Sequence, residues 1–138
     1  YLNQKKYFHN ELRKMCNKHS KKYYPKYKKW CDKYFYLPHR NETRGIGGIF
    51  FDYKMDNWEK DLSFVKDVGI TFDFLLKSMI RKKMFSKWTE KEKEIQLMKR
   101  GRYVEYNLLY DRGTKFGLNS GGSPEAILMS MPPEAKWK

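Results

Sequence analysis

The sequence has few cysteines, few acidic residues and no long apolar run. No apolar stretch approaches the ~18 residues of a membrane-spanning helix, which excludes a transmembrane segment, and no secretory signal pattern is visible. The two cysteines, Cys16 and Cys31, have no partners at metal-site spacing. This pattern argues against a zinc finger and favours reduced, buried thiols in an intracellular compartment.

The shortage of acids leaves a strongly basic chain. Thirty Lys and Arg stand against 16 Asp and Glu, a net charge of +14. Residues 1–33 carry 11 Lys or Arg and only Glu11 and Asp32 as acids. Such a surface suits nucleic acid, anionic lipid or a small polyanionic substrate. No zinc-finger, RNP or helix-turn-helix signature supports nucleic acid, so a solvated lysine-rich face is favoured and a basic binding module stays the alternative.

Apolar residues make up 40% of the chain and aromatics 17%, which is enough for a packed core. Five helices are predicted. The first begins after Asn3, the second at Pro25 and the third after an Asp56–Glu59 capping box. The fourth begins after a Thr89–Glu92 capping box and ends at Gly101, and the fifth begins at Ser123-Pro124. The third helix carries a long apolar stripe, formed by Trp58, Leu62, Val65, Val68, Phe72, Leu76 and Met79.

Two strands are predicted, at residues 45–53 (GIGGIFFDY) and 102–110 (RYVEYNLLY). Two strands joined by helices cannot make a self-sufficient sheet. The fold class expected is therefore α+β, with residues 1–138 as part of a large antiparallel sheet and no internal domain boundary. The opening YLNQ, without an initiator Met, suggests a fragment or a processed product.

Charged residues stand beside glycines at residues 36–53. His39, Arg40, Glu42 and Arg44 precede Gly45, Gly47 and Gly48. Arginine binds carboxylates bidentately, and glycine leaves room for a bulky ligand. The alternative is a surface loop with local Arg–Glu pairs.

A second group follows the predicted strand at 102–110. Asp111 stands beside Arg112 and Lys115, and neighbouring cations keep a carboxylate ionised. The alternative is a turn with Asp111 as its capping residue. Gly121, Gly122 and Ser123 then lead into a helix start that suits an anion, although such a segment is as often a flexible linker.

Two stretches resemble a known family. They are KYYPKYKKWCDKYFYLPHRNETRGIGGIFFDY (22–53) and GRYVEYNLLYDRGTKFGLNSGGSPEAILMSMPPEAKW (101–137). Both resemble the oxygen-dependent coproporphyrinogen III oxidases. The resemblance covers essentially the whole chain and corresponds to the C-terminal half of the family's single domain. The family's upstream half, with its proposed proton-donor histidine, is not seen here.

The resemblance implies an enzyme of haem biosynthesis. Family members convert two propionate groups of coproporphyrinogen III to vinyl groups, giving protoporphyrinogen IX with dioxygen as oxidant. An isolated C-terminal half is expected to be incomplete for catalysis. A tetrapyrrole with four carboxylates would explain arginine clamps, an aromatic-rich cavity and the basic charge without nucleic acid.

The resemblance also assigns roles to residues. The catalytic residues expected are Asp111, which matches the acid proposed to hold the pyrrole N–H groups, and Arg112, which matches an arginine linked to substrate carboxylates. The substrate-binding positions expected are Arg40, Arg44, Gly121, Gly122 and Ser123, with Lys115 added for its charge beside Asp111. Ser123 departs from the family's usual Gly-Gly-Arg, because a serine stands where the arginine would be.

The remaining implications concern cofactors, assembly and location. His9 and His39 fall on positions assigned as divalent metal ligands in some bacterial members, whereas other members need no metal or organic cofactor. The family fold is a large antiparallel sheet with helices on both sides, working as a homodimer whose interface resembles residues 103–138. A cytoplasmic location is expected, with the mitochondrial intermembrane space or a plastid as alternatives.

Overall fold

The computed structural model describes residues 2–137, all but the first and the last of the chain. The described residues divide into two compact units. One comprises the residues up to Tyr34 together with Ile46–Lys87, and the other comprises Phe35–Gly45 together with the residues from Trp88 onward. That the whole chain forms one domain without a boundary stays a prediction.

Three helices build the first unit. They are α1 (Leu2–His19), α2 (Tyr23–Tyr34) and α3 (Trp58–Lys83). Both α2 and α3 pack on α1. The buried core consists of Leu12, Met15, Cys16, Tyr24, Tyr27, Phe64 and Leu75. Burial raises the pKa of the Cys16 thiol to about 11, so this thiol is held in its unreactive, protonated form.

The segment at residues 44–57, which leads into α3, is irregular, so the strand predicted at 45–53 does not form. Its backbone still lies close to the helices. The Phe50 N–H donates to the Tyr27 carbonyl at 3.2 Å, and Gly48 faces Phe8 and Leu12, which a Cβ there would meet at 3.7 and 3.8 Å. These are ordinary van der Waals distances, so the segment packs on the helices without forming a strand.

The start of α3 differs by one residue from the predicted capping box. Asn57, not Asp56, is the N-cap, and its side chain accepts a hydrogen bond from the Lys60 N–H at 3.0 Å. The first turn is further fixed by a buried ion pair between Lys54 and Asp61. Asp61 also accepts from the backbone N–H groups of Asp56 and Asn57. The hydrogen bond from Lys54 holds the pKa of Asp61 below its ordinary value.

The second unit contains the described sheet. Strands β1 (Tyr36–Leu37) and β2 (Glu42–Thr43) pair antiparallel, with Tyr36 opposite Thr43. A short 3₁₀ helix, Pro38–Arg40, joins them. Three α-helices follow: α4 (Glu90–Leu109), α5 (Arg112–Asn119) and α6 (Pro124–Leu128). The described residues thus have an α+β fold that is mostly helical, and a large sheet is not seen among them.

Helix α4 begins as predicted and ends much later. Thr89 and Glu92 form the expected capping box. Gly101 does not end the helix, however, and residues 102–109, predicted as most of a strand, continue it. The buried residues Leu97, Gly101 and Glu105 are spaced four apart, which is helical spacing. A lone nine-residue strand would also leave its backbone groups without partners, whereas a helix satisfies them locally.

Gly101 is required by a close contact rather than by a helix end. The C-terminal segment crosses α4 here, with the Lys136 N–H donating to the Leu97 carbonyl at 3.1 Å. A Cβ on Gly101 would lie 2.5 Å from the Lys136 carbonyl oxygen.

No helix among residues 2–137 is both long and apolar enough to cross a membrane.

We expect Gly101→Ala to destabilise the chain by about 1–3 kcal/mol, because the added methyl group overlaps backbone that cannot simply rotate away. The matched control is Gly69→Ala in α3, where a Cβ meets nothing within 4 Å. Alanine there should stabilise the helix by about 0.5–1 kcal/mol. Urea unfolding followed by circular dichroism measures both, and equal effects of the two substitutions would contradict the contact.

Candidate functional site

Asp111 stands at the corner between α4 and α5. Its backbone N–H donates to the Tyr106 carbonyl at 3.0 Å. Its carboxylate Oδ2 accepts from the Thr114 N–H at 2.7 Å and from the Thr114 hydroxyl at 3.0 Å. Asp111 is therefore the N-cap of α5, the capping role weighed as the alternative, and it begins a helix instead of ending a strand.

The two cations beside Asp111 are both exposed. Arg112 is the first residue of α5, and Lys115 follows three positions later. Residues three apart lie on the same side of a helix. Arg112 and Lys115 are thus exposed together one turn apart, directly after the carboxylate of Asp111. This arrangement can bind an anionic group beside a hydrogen-bond acceptor.

A second polar cluster is centred on Glu105 of α4, whose side chain is only 9% exposed. The Arg40 guanidinium donates to both carboxylate oxygens, from Nη2 to Oε1 at 2.6 Å and from Nε to Oε2 at 3.1 Å. The His39 Nε2 donates to Oε2 at 2.9 Å. The hydrogen bond from Arg40 is the main reason that the pKa of Glu105 lies below its ordinary value. We call this set, with Tyr110, the Glu105 cluster.

Tyr110 links the Glu105 cluster to the Asp111 corner. Its hydroxyl lies 2.7 Å from the His39 Nδ1, and the two rings stack with centroids 5.6 Å apart. Tyr110 is also the residue immediately before Asp111. Tyr110, which was not predicted, is thus bonded to His39 and adjacent in the chain to Asp111, whereas Arg40 is joined to the same cluster through Glu105.

Glu42 and Arg102 extend the cluster along α4. The Arg102 Nε donates to Glu42 Oε1 at 2.5 Å, and the Lys99 ammonium lies 3.3 Å from Oε2. Arg102 Nη1 also reaches Glu105 Oε1 at 3.5 Å. These donors lower the pKa of Glu42, the Arg102 hydrogen bond most of all. Arg40 and Glu42 of this segment are thus paired with residues of α4, and not by the local Arg–Glu pairs considered as the alternative.

Arg44 is held by aromatic rings. Its guanidinium carbon lies 4.4 Å from the ring centroid of Phe35, 4.8 Å from that of Tyr103 and 5.3 Å from that of Tyr106. Cation–π contacts of this kind fix a planar guanidinium in place. Arg40 and Arg44 thus both have partners within the second unit, so a substrate carboxylate would have to share Arg40 with Glu105.

The Gly121–Ser123 segment forms the turn between α5 and α6. Gly121 has a φ of +75°. The Ser123 hydroxyl caps α6 by accepting from the Ala126 N–H at 3.4 Å and donates to Glu125 at 2.8 Å. The anion position expected at this helix start therefore already has the carboxylate of Glu125 beside it.

The two predicted metal ligands lie in different units. His9 Nε2 donates to the Ile46 carbonyl at 2.9 Å, and Nδ1 accepts from the Tyr24 hydroxyl at 3.1 Å. Burial, the largest effect, lowers the pKa of His9, in keeping with this neutral ring. Residues 2–137 contain no group of three or more His, Cys, Asp or Glu that could hold a metal ion. The assignment of His9 and His39 as metal ligands stays a prediction.

Sequence reasoning missed Glu105 and Tyr110. Both lie in residues 102–110, which were interpreted as a strand, so their helical neighbours could not be foreseen. The spacing of Arg102 and Glu105, three apart with opposite charge, was a signal for a helix at these residues, but it gave no sign of their contacts with His39 and Arg40.

We expect Glu105→Gln to destabilise the chain by about 1–3 kcal/mol at neutral pH, because Arg40 and His39 then lose their anionic partner. Because the folded pKa of Glu105 lies below the ordinary 4.5, its contribution is present above that pH and is lost as the pH falls through the lowered value. The difference between parent and variant should therefore shrink toward acid pH.

The control for this prediction is Glu94→Gln on the same helix. Glu94 pairs with Lys136 at 3.6 Å, and both side chains are more than half exposed. Such a pair contributes within about 0.5 kcal/mol. A loss at Glu94 as large as that at Glu105, in urea unfolding at pH 7, would contradict the importance of the Glu105 cluster.

Fold and site together define a cation-rich α+β chain in which buried and capping carboxylates are combined with arginines. The chain belongs to the coproporphyrinogen III oxidase family, since the model of that family, described as "Coproporphyrinogen III oxidase", matches residues 1–138.

Curated relatives of this chain carry the name of the same family. The chain is 56% identical over 131 residues to an oxygen-dependent coproporphyrinogen-III oxidase of Rickettsia bellii (strain OSU 85-389), covering 94% of the chain and 47% of the relative. It is 54% identical over 136 residues to the protein of the same name from Rickettsia akari (strain Hartford), covering 98% and 49%. The chain thus spans about half the length of the curated relatives it matches.

Proposed function

We propose that the chain is one half of an oxygen-dependent coproporphyrinogen-III oxidase of haem biosynthesis. The observation that carries the proposal is the family match along all 138 residues, joined to an identity above one half with relatives of that name. The substrate proposed is coproporphyrinogen III and the product protoporphyrinogen IX. Dioxygen is the oxidant, and no organic cofactor is needed.

The proposed reaction balances as follows for each of two propionates. The carboxylate leaves as carbon dioxide, the carbon next to the pyrrole ring loses one hydrogen, and a vinyl group remains. Dioxygen takes up the two electrons released and, with two protons, becomes hydrogen peroxide. The chain's own residues bind and orient the tetrapyrrole during these steps.

In this proposal Asp111 accepts hydrogen bonds from the pyrrole N–H groups while Arg112 and Lys115 hold propionates. The exposure of both cations, and the position of Asp111 at the start of a helix, support these roles. Arg40 and Arg44 contact substrate carboxylates, and the Arg40 guanidinium does so while it is also bonded to Glu105. Gly121, Gly122 and Ser123 complete the substrate contacts.

The proposal extends to assembly and location. A homodimer interface within residues 103–138 is supported by exposed apolar side chains there, among them Phe116 at 74%, Met129 at 84% and Trp137 at 52% exposed. In the complete domain we propose that the chain joins a large antiparallel sheet, in line with the family resemblance. A cytoplasmic setting is supported by the two buried cysteines.

The decisive experiment compares the isolated chain with a chimera. In the chimera, this chain replaces the matched region of the Rickettsia bellii relative. We expect turnover of coproporphyrinogen III by the chimera and little or none by the isolated chain, because the half of the family protein that this chain does not span is needed to complete the site. Chromatography of the porphyrin products measures both.

Two results would count against the proposal. A folded chimera without turnover would overturn the function, and salt-sensitive binding of DNA by that same chimera would favour the basic binding module instead. Turnover by the isolated chain at the rate of the chimera would overturn the assignment as an incomplete half.

A further inference from the structure

Helix α3 has an apolar face that does not belong to the core. Its inner face carries Asp61, Phe64 and Leu75, all buried, and packs on α1. A second row of large apolar side chains runs along a different side of the helix, each between 42% and 72% exposed. Its members, here called the outer stripe, are Trp58, Leu62, Val65, Phe72, Leu76 and Ile80.

The outer stripe is continuous along most of the helix. At 100° and 1.5 Å per residue, its six members fall within a sector of about 80° and extend over about 33 Å. Gly69 lies in the middle of the stripe, and a Cβ there would meet nothing within 4 Å. A partner surface could therefore approach the α3 backbone closely at this point.

A continuous stripe of this kind differs from ordinary exposed apolar residues. Single exposed leucines are common on protein surfaces, but contiguous apolar patches mark surfaces that are covered in the working protein. The helical periodicity of the sequence predicts burial of Leu62, Val65 and Phe72. In the structure they are exposed, at 44%, 49% and 59%.

We propose that the outer stripe of α3 packs against the part of the family protein that this chain does not span. The Rickettsia bellii relative is matched over only 47% of its length, so a segment of about equal size remains to supply the partner surface. A second copy of the same chain is proposed to bind elsewhere, through residues 103–138, and is therefore not the occupant assigned to this stripe. The partner surface is an apolar face long enough to cover about six helical turns.

Cysteine labelling tests this proposal without any measurement of activity. Val65→Cys and Phe72→Cys, on either side of Gly69, are placed singly in the isolated chain and in the chimera. Ser63→Cys is the matched control, because residue 63 is exposed and lies about 200° around the helix from residue 65. Maleimide modification at each position is followed by mass spectrometry of the peptides, and circular dichroism confirms folding.

We expect the new thiols of the Val65→Cys and Phe72→Cys variants to react about 100-fold or more slowly in the chimera than in the isolated chain, while the thiol of Ser63→Cys reacts equally in both. Equal reactivity of the stripe positions in the two proteins would overturn the proposal. So would protection in the isolated chain that grows with its concentration, since a second copy would then be the occupant. If the chimera is not folded, the same substitutions are made at the aligned positions of the relative itself, with the same expectations.

The proposal rests on the proposed assignment of the chain as one half of the family protein, but the labelling result does not depend on turnover. A folded chimera without turnover but with a protected stripe would reject the catalytic proposal and keep this one. Turnover with a reactive stripe would keep the catalytic proposal and reject this one.

Discussion

Asp111→Asn in the chimera is expected to reduce turnover by about 100-fold or more while the protein stays folded. In the proposed function the ionised carboxylate accepts the pyrrole N–H groups. Asparagine keeps the size of the side chain, removes the charge and turns part of the acceptor into a donor. Loss of one preorganised electrostatic stabiliser commonly costs a factor of this order.

The capping geometry makes this substitution a sharp test. Asp111 Oδ2 holds the first turn of α5 by accepting from Thr114. Asparagine is as good an N-cap as aspartate, so Asp111→Asn should leave stability nearly unchanged. Asp111→Ala removes cap and charge together and should cost a further ~1 kcal/mol of stability. Urea unfolding of the isolated chain measures the contribution of the cap to stability, and turnover of the chimera measures the contribution of the charge to the reaction rate.

Asp73→Asn supplies the control for the change of charge. Asp73 pairs with Lys77 within α3, and both side chains are more than half exposed. Its replacement should leave turnover and stability essentially as they are. Normal turnover in the Asp111→Asn chimera would show that Asp111 is a structural cap only.

The candidate site could be predicted in part because some of its features are local. The Thr89–Glu92 capping box and the Ser123-Pro124 helix start are local patterns, and the structure confirms both. The Glu105 cluster depends on contacts between residues more than 60 positions apart, such as Arg40 with Glu105. No spacing rule reaches that far, so Glu105 could not be chosen from the sequence.

Residues 102–110 show why the fold was harder to predict than the helix starts. Their alternation of apolar and polar side chains satisfies the two-residue period of a strand, yet Arg102, Glu105 and Tyr106 also fall at helical spacings of three and four. A strand needs neighbours to bind its backbone, and the described sheet has two strands of two residues each. The helix closes its own hydrogen bonds, so it is the conformation seen.

The last prediction concerns the core of the first unit. Phe64→Ala is expected to destabilise the isolated chain by about 3–5 kcal/mol, because Phe64 is fully buried and its removal leaves a cavity. Its ring packs against those of Tyr23, Tyr27 and Phe51 with centroids 5.0–5.7 Å apart. Edge-to-face and tilted contacts of this kind add to the burial of apolar area. Urea unfolding followed by circular dichroism gives the free energy of unfolding.

Phe72→Ala on the same helix is the matched control. Phe72 is 59% exposed in the outer stripe, so the same truncation should change the stability of the isolated chain by less than about 1 kcal/mol. A total stability of about 5–15 kcal/mol is usual for a domain, and the Phe64→Ala chain could therefore be largely unfolded. Phe64→Leu, which leaves a smaller cavity, should then fall between the parent and the alanine variant. Equal losses at positions 64 and 72 would mean that α3 does not pack on α1 through Phe64.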